Sequence, residues 1–555
     1  MSIDALDPIA CGPIQSSRLR RVVTDFAIGV LGAGLMLMAY GSIAATAGVP
    51  GNDSYYHLKL AEMLPNVGLV SEFPWLRFAY FTDQGQSFVS HHYGFHVLLA
   101  PFVGVSRWIT GETFAGGRWA IAGCFGLILI VFARLIRHHG AGGFSLWLPL
   151  FALLPFQFFT RHAFIRAIAP SLAFMLLLLL ALFHRRAKTA ALVIVLYIQL
   201  YMGGVLYAPL IVVAYFSAEL FTRTNDRKGL IRITAWSIVG WLVGILTHPY
   251  RHGMIEFLRL QVFGSGLSPD IPVGKEWKPY ADVWWFVQMS GVLIAVWLIA
   301  VIGRLRHGAR LTGPELCLLL LNVAFGVLTA KARRFIEYWP MFCLLSAAYL
   351  ASPWLADCGR WLAERISPRR LRRTGLLAGL AATAIIVTLS PMWQEIRNSS
   401  RCDYDLPAIR GAMNFLQEHS APGDVVFTDD WDIFPLFFYF NSHNHYIVGL
   451  DPKFTHARDP ELWERYVKIS RGQTPADLTV ESQSKTGPPE HKRIHVELSD
   501  IRDHFGAKWV VTDRDHAALA KQLAVAGNFA ELVYPAPRYE DAKDRPYLVF
   551  RIAPR

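Results

Sequence analysis

Charge is scarce in this sequence. Only 17% of its 555 residues are Asp, Glu, Lys or Arg, against 53% hydrophobic, where a soluble protein carries nearer a quarter charged residues. Mean hydropathy is +0.31. Together these exclude an ordinary soluble enzyme. Cysteine is scarce too. Cys124, Cys317, Cys343 and Cys358 fall in or beside apolar runs, Cys11 lies near the N-terminus, and Cys402 stands alone in the polar end. No pair is left there for an intrachain disulfide, and no spacing suits zinc. No internal repeat and no low-complexity tract occurs, which excludes repeat arrays and low-complexity linkers. After Leu389 there is no long apolar run at all.

What is present lies before that point. Stretches such as 172–183 (LAFMLLLLLALF) are continuously apolar, and about 20 such residues cross a hydrocarbon layer. The net charge of +12 does not indicate a nucleic-acid partner, because Lys and Arg concentrate in short loops between the runs. These are Arg18/Arg20/Arg21, Arg134/Arg137, Arg185/Arg186/Lys188, Arg223/Arg227/Lys228/Arg232, Arg304/Arg306/Arg310 and the stretch from Arg360 to Arg373. Basic short loops mark the cytoplasmic side. Threading the chain accordingly puts the N-terminus inside and a first span at 26–45, which reads as an anchor because it lacks a clear cleavage site. A long outer loop, 48–117, contains an apolar piece (93–109) suited to the interface. Further spans are expected near 118–136, 143–159, 168–184, 189–203, 204–221, 233–248, 284–302, 313–330, 340–356 and 374–391. These make about eleven crossings, so residues 1–391 form a polytopic membrane part and the 392–555 domain lies outside.

Two outward loops break the charge rule: Thr160-Arg161-His162-Ala163-Phe164-Ile165-Arg166 and Lys331-Ala332-Arg333-Arg334-Phe335-Ile336-Glu337-Tyr338. Cations facing outward at a membrane need an anionic partner or a wet cavity, and the arginine fork matches phosphate oxygens. Internal pairing, for instance Arg334 with Glu337 one turn later, and snorkelling read the same loops without a ligand. The first outer loop opens Gly51-Asn52-Asp53-Ser54-Tyr55-Tyr56-His57. Asp53 stands where a carboxylate takes a proton or holds a metal ion, and equally where Asp53 or Ser54 caps a helix. A third loop, 249–282, supplies Glu256, Asp270, Glu276 and Asp282, with Glu276 in the irregular stretch Gly274-Lys275-Glu276-Trp277-Lys278-Pro279. His92 and His96 have the spacing of a helical metal pair but lack the accompanying Glu of the zinc motif, which leaves interfacial hydrogen bonding as their reading.

The polar end alternates strand-like pieces (424–428, 446–449, 509–512, 547–552) with helical ones (408–419, 460–470, 516–526), the pattern of a small α/β domain. Between them, 474–492 reads as a flexible loop. Asp429-Asp430-Trp431-Asp432-Ile433-Phe434-Pro435 follows the first strand, where α/β folds carry function; a capped strand-to-helix turn accounts for it equally.

These residues, taken together, resemble the catalytic-subunit family of oligosaccharyltransferases, within the GT-C class of membrane glycosyltransferases. Asp53 to His57 matches the family's Asp-x-Tyr-Tyr-His after the first span. Arg334-Phe335-Ile336-Glu337-Tyr338-Trp339-Pro340 resembles its outer-loop Arg-Phe pair, and Trp431-Asp432 falls in order at its Trp-Trp-Asp-Tyr-Gly motif. The resemblance implies sugar transfer, with inversion, from a polyprenyl phosphate or diphosphate to a protein, glycan or lipid acceptor on the outer face of a bacterial-type inner membrane. It implies Asp53 as general base or acceptor-orienting carboxylate and Glu276, placed by order, as a second carboxylate. Arg161, Arg166, Arg333 and Arg334 would balance the leaving phosphate, with His57 and Glu337 in their motifs, and Trp431 and Asp432 would hold the acceptor. It also implies a divalent cation, Mg²⁺ or Mn²⁺, with Asp53 as a candidate ligand. The family's acidic second-loop motif is missing, however: 161–171 (RHAFIRAIAPS) has no carboxylate, which leaves the cofactor unassigned. Two other classes remain. A lipid-linked-saccharide transporter would carry charges along a path inside the spans, where few are found. A non-catalytic relative that binds lipid or assembles an envelope complex is compatible with the missing motif.

Overall fold

The structure, a computed structural model, describes residues 13–42, 47–79, 88–141, 143–223, 226–266, 274–308, 310–482 and 490–555; Cys11 and Asp270 lie outside the described residues. The apolar runs fold as helices, since inside a bilayer every backbone N–H and C=O must be satisfied within its own segment. In order they are α1 (Pro13–Tyr40), α2 (Asp53–Val67), α3 (Tyr93–Thr110), α4 (Phe114–His139), α5 (Phe144–Ala152), α6 (Phe156–Ala163), α7 (Ile168–Phe183), α8 (Ala187–Leu200), α9 (Gly204–Phe221), α10 (Arg227–Leu246), α11 (Arg251–Gly266), α12 (Val283–His307), α13 (Gly313–Lys331), α14 (Trp339–Ala363) and α15 (Pro368–Leu389).

Among the described residues, eight of these (α1, α4, α9, α10 and α12 to α15) carry segments long and apolar enough to cross a membrane. The chain is a multi-pass membrane protein. The other three expected spans are shorter helices: α5, α8, and α7, which meets α6 at a bend of 112°. The stretch 93–109 is α3, packed on α2 and α4. The first half of the third outer loop forms α11, and the stretch 274–279, expected to be irregular, holds one 3-10 turn, Lys275–Trp277.

Close approach of helices is set by small residues. A methyl group on Gly126 of α4 would sit 2.6 Å from the Gly29 carbonyl oxygen of α1, so only glycine permits that crossing. Helix starts use side chains as caps. Thr312 and Glu315 form a reciprocal capping box at α13, and Asp282 accepts the Trp285 N–H at α12, 3.0 Å; both satisfy backbone donors that the first turn leaves unpaired.

Beyond α15 come α16 (Pro391–Ser399), α17 (Leu406–His419), β1 (Val425–Thr428), α18 (Phe434–Phe440), β2 (His445–Tyr446), α19 (Pro452–Arg458), α20 (Pro460–Ser470), β3 (Ala476–Ser482), β4 (Glu490–Val496), α21 (Asp500–Asp503), β5 (Trp509–Asp513), α22 (Ala517–Val525), β6 (Ala530–Tyr534), α23 (Tyr539–Ala542) and β7 (Tyr547–Ile552). The main sheet runs β2-β1-β5-β7-β6, parallel from β2 to β5 and antiparallel through β7 and β6. The expected α/β alternation is present. Within 474–492, expected as a loop, residues 476–482 and 490–492 are instead strand, part of the antiparallel pair β3 with β4, registered Ala476↔Val496 to Ser482↔Glu490; 483–489 lie outside the described residues.

The sheet is joined to the membrane part by main-chain bonds. The first outer loop lies along its β2 edge: the Tyr446 N–H donates to Trp75 O at 2.8 Å, Arg77 N–H to Tyr446 O at 3.0 Å and Phe78 N–H to Ile447 O at 3.1 Å. This covers an edge that would otherwise expose unpaired donors and acceptors. Helix α18 then packs on α2, and one hydrophobic cluster runs from the membrane helices through Phe434, Phe438 and Tyr446 to Val511 and Val549. Phe438 is fully buried, 5.3 Å from the Phe73 ring and 5.2 Å from Trp75. Phe438→Ala should therefore cost about 3–5 kcal/mol and open this seam first. Thermal melting in detergent and hydrogen exchange across 73–78 and β2 would record a lower Tm and faster exchange there; unchanged exchange at those amides would count against the seam.

Candidate active site

Asn52, not Asp53 or Ser54, stands at the N-cap of α2. Its Oδ1 accepts the Asp53 N–H at 2.8 Å, while its Nδ2 donates to Asp432 O at 2.9 Å and to the Asp432 carboxylate. Ser54 Oγ donates to Pro50 O at 2.6 Å and accepts the Ile165 N–H at 3.0 Å, fixing the α6–α7 break beside α2. The capping work is thus done by the neighbours, and the Asp53 carboxylate is left for the cavity.

The residues that meet it come from three other connections. From the α6–α7 break, Arg166 Nη2 lies 2.6 Å from Asp53 Oδ2 and its Nη1 lies 3.4 Å from Glu276 Oε2. Arg161 Nη2 donates to the same Glu276 oxygen at 2.7 Å, and its Nε donates to Glu337 Oε1 at 2.8 Å. Arg334 Nη1 approaches Glu276 Oε1 at 3.2 Å. The expected Arg334–Glu337 pairing is thus replaced by two pairs between loops, Arg334 with Glu276 and Arg161 with Glu337. Both acidic partners sit on single 3-10 turns, Lys275–Trp277 and Arg333–Glu337, whose short backbone lets side chains project from adjacent positions. Phe164 lies between the two guanidiniums of its own loop, 5.5 Å from Arg161 and 5.4 Å from Arg166. Trp277 lies between Arg334 at 4.0 Å and Lys453 at 4.7 Å.

The two carboxylates are driven apart. Desolvation raises the Asp53 carboxyl above its usual range, with Arg166 opposing and Glu276 and Asp451 adding to the rise. Desolvation would also raise Glu276, but Arg334, Arg161 and Arg166 outweigh it and hold this carboxyl well below the usual range. Asp53 is thereby the group disposed to accept a proton, and Glu276 is a fixed anion. Burial lowers His57, His91, His92 and His96 below the usual imidazole range, so this cluster is neutral. His57 Nδ1 and His96 Nε2 share a 2.9 Å hydrogen bond, as expected for His96, whereas His92 stacks on Tyr201 and its buried Nδ1 has no hydrogen-bond partner among the described residues.

Asp53, His57, Arg166, Glu276, Arg334 and Glu337 line a polar cavity of about 100 Å³. Beside it lies an apolar groove of about 380 Å³ walled by α9, α11 and the end of α13, with Leu206, Phe257, Leu258 and Leu328 among its walls. Arg334 and Trp277 line both. Arg161 braces the cavity from behind. Arg333 lines neither; its N–H donates to Lys278 O at 3.1 Å. Trp431, half-buried, packs against the core on the far face of the sheet, and Asp432 is tied to the site through Asn52. Sequence reasoning missed Tyr201, Gln261, Asp451 and Lys453. Tyr201 had a visible signal in the Tyr-Met-Gly-Gly break between two apolar runs. Lys453, buried on α19 and 3.1 Å from Asp451, had none.

A divalent cation between Asp53 and Glu276 does not fit these residues. Mg²⁺ demands near-octahedral oxygens at about 2.0–2.1 Å, whereas both Glu276 oxygens and Asp53 Oδ2 already receive guanidinium nitrogens. Among the described residues, the one cluster with metal-ligand spacing is Asp429, Asp513 and His516, at the strand ends of the sheet.

No family model and no curated protein matches the sequence. Solved structures do. The chain is similar to the oligosaccharyltransferase of Archaeoglobus fulgidus in its apo form, with 13% identity, 92% of this chain and 73% of that one covered, and a TM-score of 0.62. The fold is GT-C. The GT-C neighbours include AglB of the same organism in complex with an inhibitory peptide and a dolichol-phosphate (14% identity, 92% and 72% covered, TM-score 0.60). They also include ArnT from Cupriavidus metallidurans bound to undecaprenyl phosphate (12%, 96% and 99%, 0.52).

One titration is readable at the rim of this site. Protein packed round Asp432, then the charges of Asp53 and Asp430, push its carboxyl up to about 7. A carboxyl raised on folding stabilises the protein below its unfolded pKa, about 4, and loses that contribution as pH rises through 7. Asp432→Asn keeps an acceptor for Asn52 but cannot ionise, so its Tm should gain on wild type from about pH 4 to about pH 7 and level off above that. A difference independent of pH would contradict this.

Proposed function

We propose that the protein is a GT-C glycosyltransferase that moves a sugar or oligosaccharide from a polyprenyl phosphate or diphosphate to an acceptor on the outer face of a bacterial-type inner membrane. The observation that carries this reading is the junction at Arg334. An apolar groove suited to a polyprenyl chain meets, at that guanidinium, a polar cavity holding a carboxylate of raised pKa. Dolichol-phosphate in AglB and undecaprenyl phosphate in ArnT are lipids of this chemistry. In this reading residues 1–391 are the membrane unit and 392–555 an outer domain that contributes Lys453 to the cavity.

The chemistry follows from charge. The acceptor's nucleophilic atom bonds to the anomeric carbon as the bond from that carbon to the phosphate oxygen breaks, with inversion. Asp53 takes the acceptor's proton. The leaving phosphate gains negative charge as the bond breaks, and Arg334, held by Glu276 and Trp277, is already oriented toward it and needs no reorganisation at that moment. Arg161 does not touch substrate; it positions Glu276 and Glu337. The basic short loops lie at the opposite helix ends from the cavity, which supports placing the cavity and the sheet in the periplasm.

The test is transfer from labelled lipid-linked sugar in vesicles. Asp53→Asn retains the hydrogen-bonding shape but not the basicity, and should lower the rate by about 10²–10⁴-fold while Tm stays near wild type. Arg334→Ala should weaken carrier-lipid binding by about 1.5–3 kcal/mol, and Arg306→Ala, at the other end of α12, should not. Full transfer by Asp53→Asn, or equal lipid affinities for the two arginine variants, would contradict the assignment.

A further inference from the structure

We propose that Arg166 is a built-in cation standing where a divalent metal ion would otherwise join Asp53 to Glu276, so that this site works without a metal. One planar guanidinium spans the two carboxylates, reaching Asp53 at 2.6 Å and Glu276 at 3.4 Å. It is a positioning residue, since it acts through Asp53 rather than on the substrate.

Four features support the assignment. Both Glu276 oxygens are already engaged: Arg161 and Arg166 share Oε2 and Arg334 takes Oε1, which leaves little of this carboxylate for a cation that must gather several oxygens of its own. Three fixed positive charges around one carboxylate repel a divalent ion at short range. The charges also close without one, because Arg161, Arg166 and Arg334 match Asp53, Glu276 and Glu337 while Lys453 is matched by Asp451. Finally, Arg166 is held in place from several sides. Its loop is tied to α2 by Ile165 N–H to Ser54 Oγ at 3.0 Å, and the Phe164 ring lies 5.4 Å from its guanidinium. A group fixed in this way holds Oδ2 of Asp53 and leaves the other carboxylate oxygen to receive the acceptor's proton.

The functional role rests on the transfer reading above, whereas the metal measurement does not. Mn²⁺ is titrated into full-length wild type, Asp53→Asn and Asp513→Asn in detergent, following the loss of the free-ion EPR signal. Wild type and Asp53→Asn should bind alike, and any ion bound should depend on Asp513, at the sheet's Asp429–Asp513–His516 cluster. Mn²⁺ binding by wild type that disappears in Asp53→Asn would overturn the proposal whether or not a transfer reaction is found. In vesicles, wild-type transfer should be unchanged by EDTA. Arg166→Ala should fall by about 100-fold and recover when guanidinium ion is added at concentrations below those that unfold it. Arg166→Lys, which keeps the charge but reaches only one carboxylate, should be intermediate and equally indifferent to EDTA. Loss of wild-type transfer in EDTA with recovery in Mn²⁺ would overturn it.

Discussion

The site depends on one constraint: a carboxylate removed from water must be surrounded by cations, or it takes up a proton. Glu276 satisfies it with three guanidiniums drawn from two connections far apart in sequence. An isolated buried charge is costly, and a paired one is costly to break, so this one side chain ties the α6–α7 break, the turn before α12 and the turn before α14 into one arrangement. Asp53 is joined to the same arrangement by Arg166, and Glu337 by Arg161.

That arrangement also bears on how the chain crosses the membrane. Asp53, Arg166, Glu276 and Arg334 lie within direct reach of one another, so the chain between any two of them must cross an even number of times. Helix α4 is a full-length span; the chain can return to Arg161 only if the nine-residue α5 and the adjoining residues carry it back. Helices α9 and α10 are full-length too, so α7 and α8 either both cross or together return the chain to the same side. The charges that the short helices deliver have to meet, and that fixes the parity of the crossings they make. Their shortness is tolerated inside the protein, where α7 is almost wholly buried among other helices.

Much of this was legible in the sequence, for identifiable reasons. Apolar runs, basic loops and the two outward basic exceptions are one-dimensional signals, and they led to the helices, to the residues of the cavity and to Asp53. Pairing is not such a signal. Arg334 and Glu337 are one turn apart and suggested each other, yet each finds its partner more than 50 residues away. Lys453 sits in a Pro-Lys-Phe stretch typical of a surface helix start, and only the docking of α19 brings it beneath Trp277. The β3–β4 hairpin was read as a loop because of its Pro and Gly content, although Leu478 and Val480 alternate with Asp477, Thr479 and Glu481 as a strand face would. Asp53 was weighed as a helix cap, and the distinction lay one residue upstream, in Asn52.

The central claim is that the Arg334 junction joins a lipid groove to a reacting centre. A structure at side-chain resolution with an undecaprenyl-phosphate sugar bound would test it most directly. The account predicts the phosphate on Arg334, the isoprenoid chain along Leu206, Phe257 and Leu328, and the anomeric carbon facing Asp53. A lipid bound with its phosphate away from Arg334, or with its sugar on the side remote from Asp53, would contradict it.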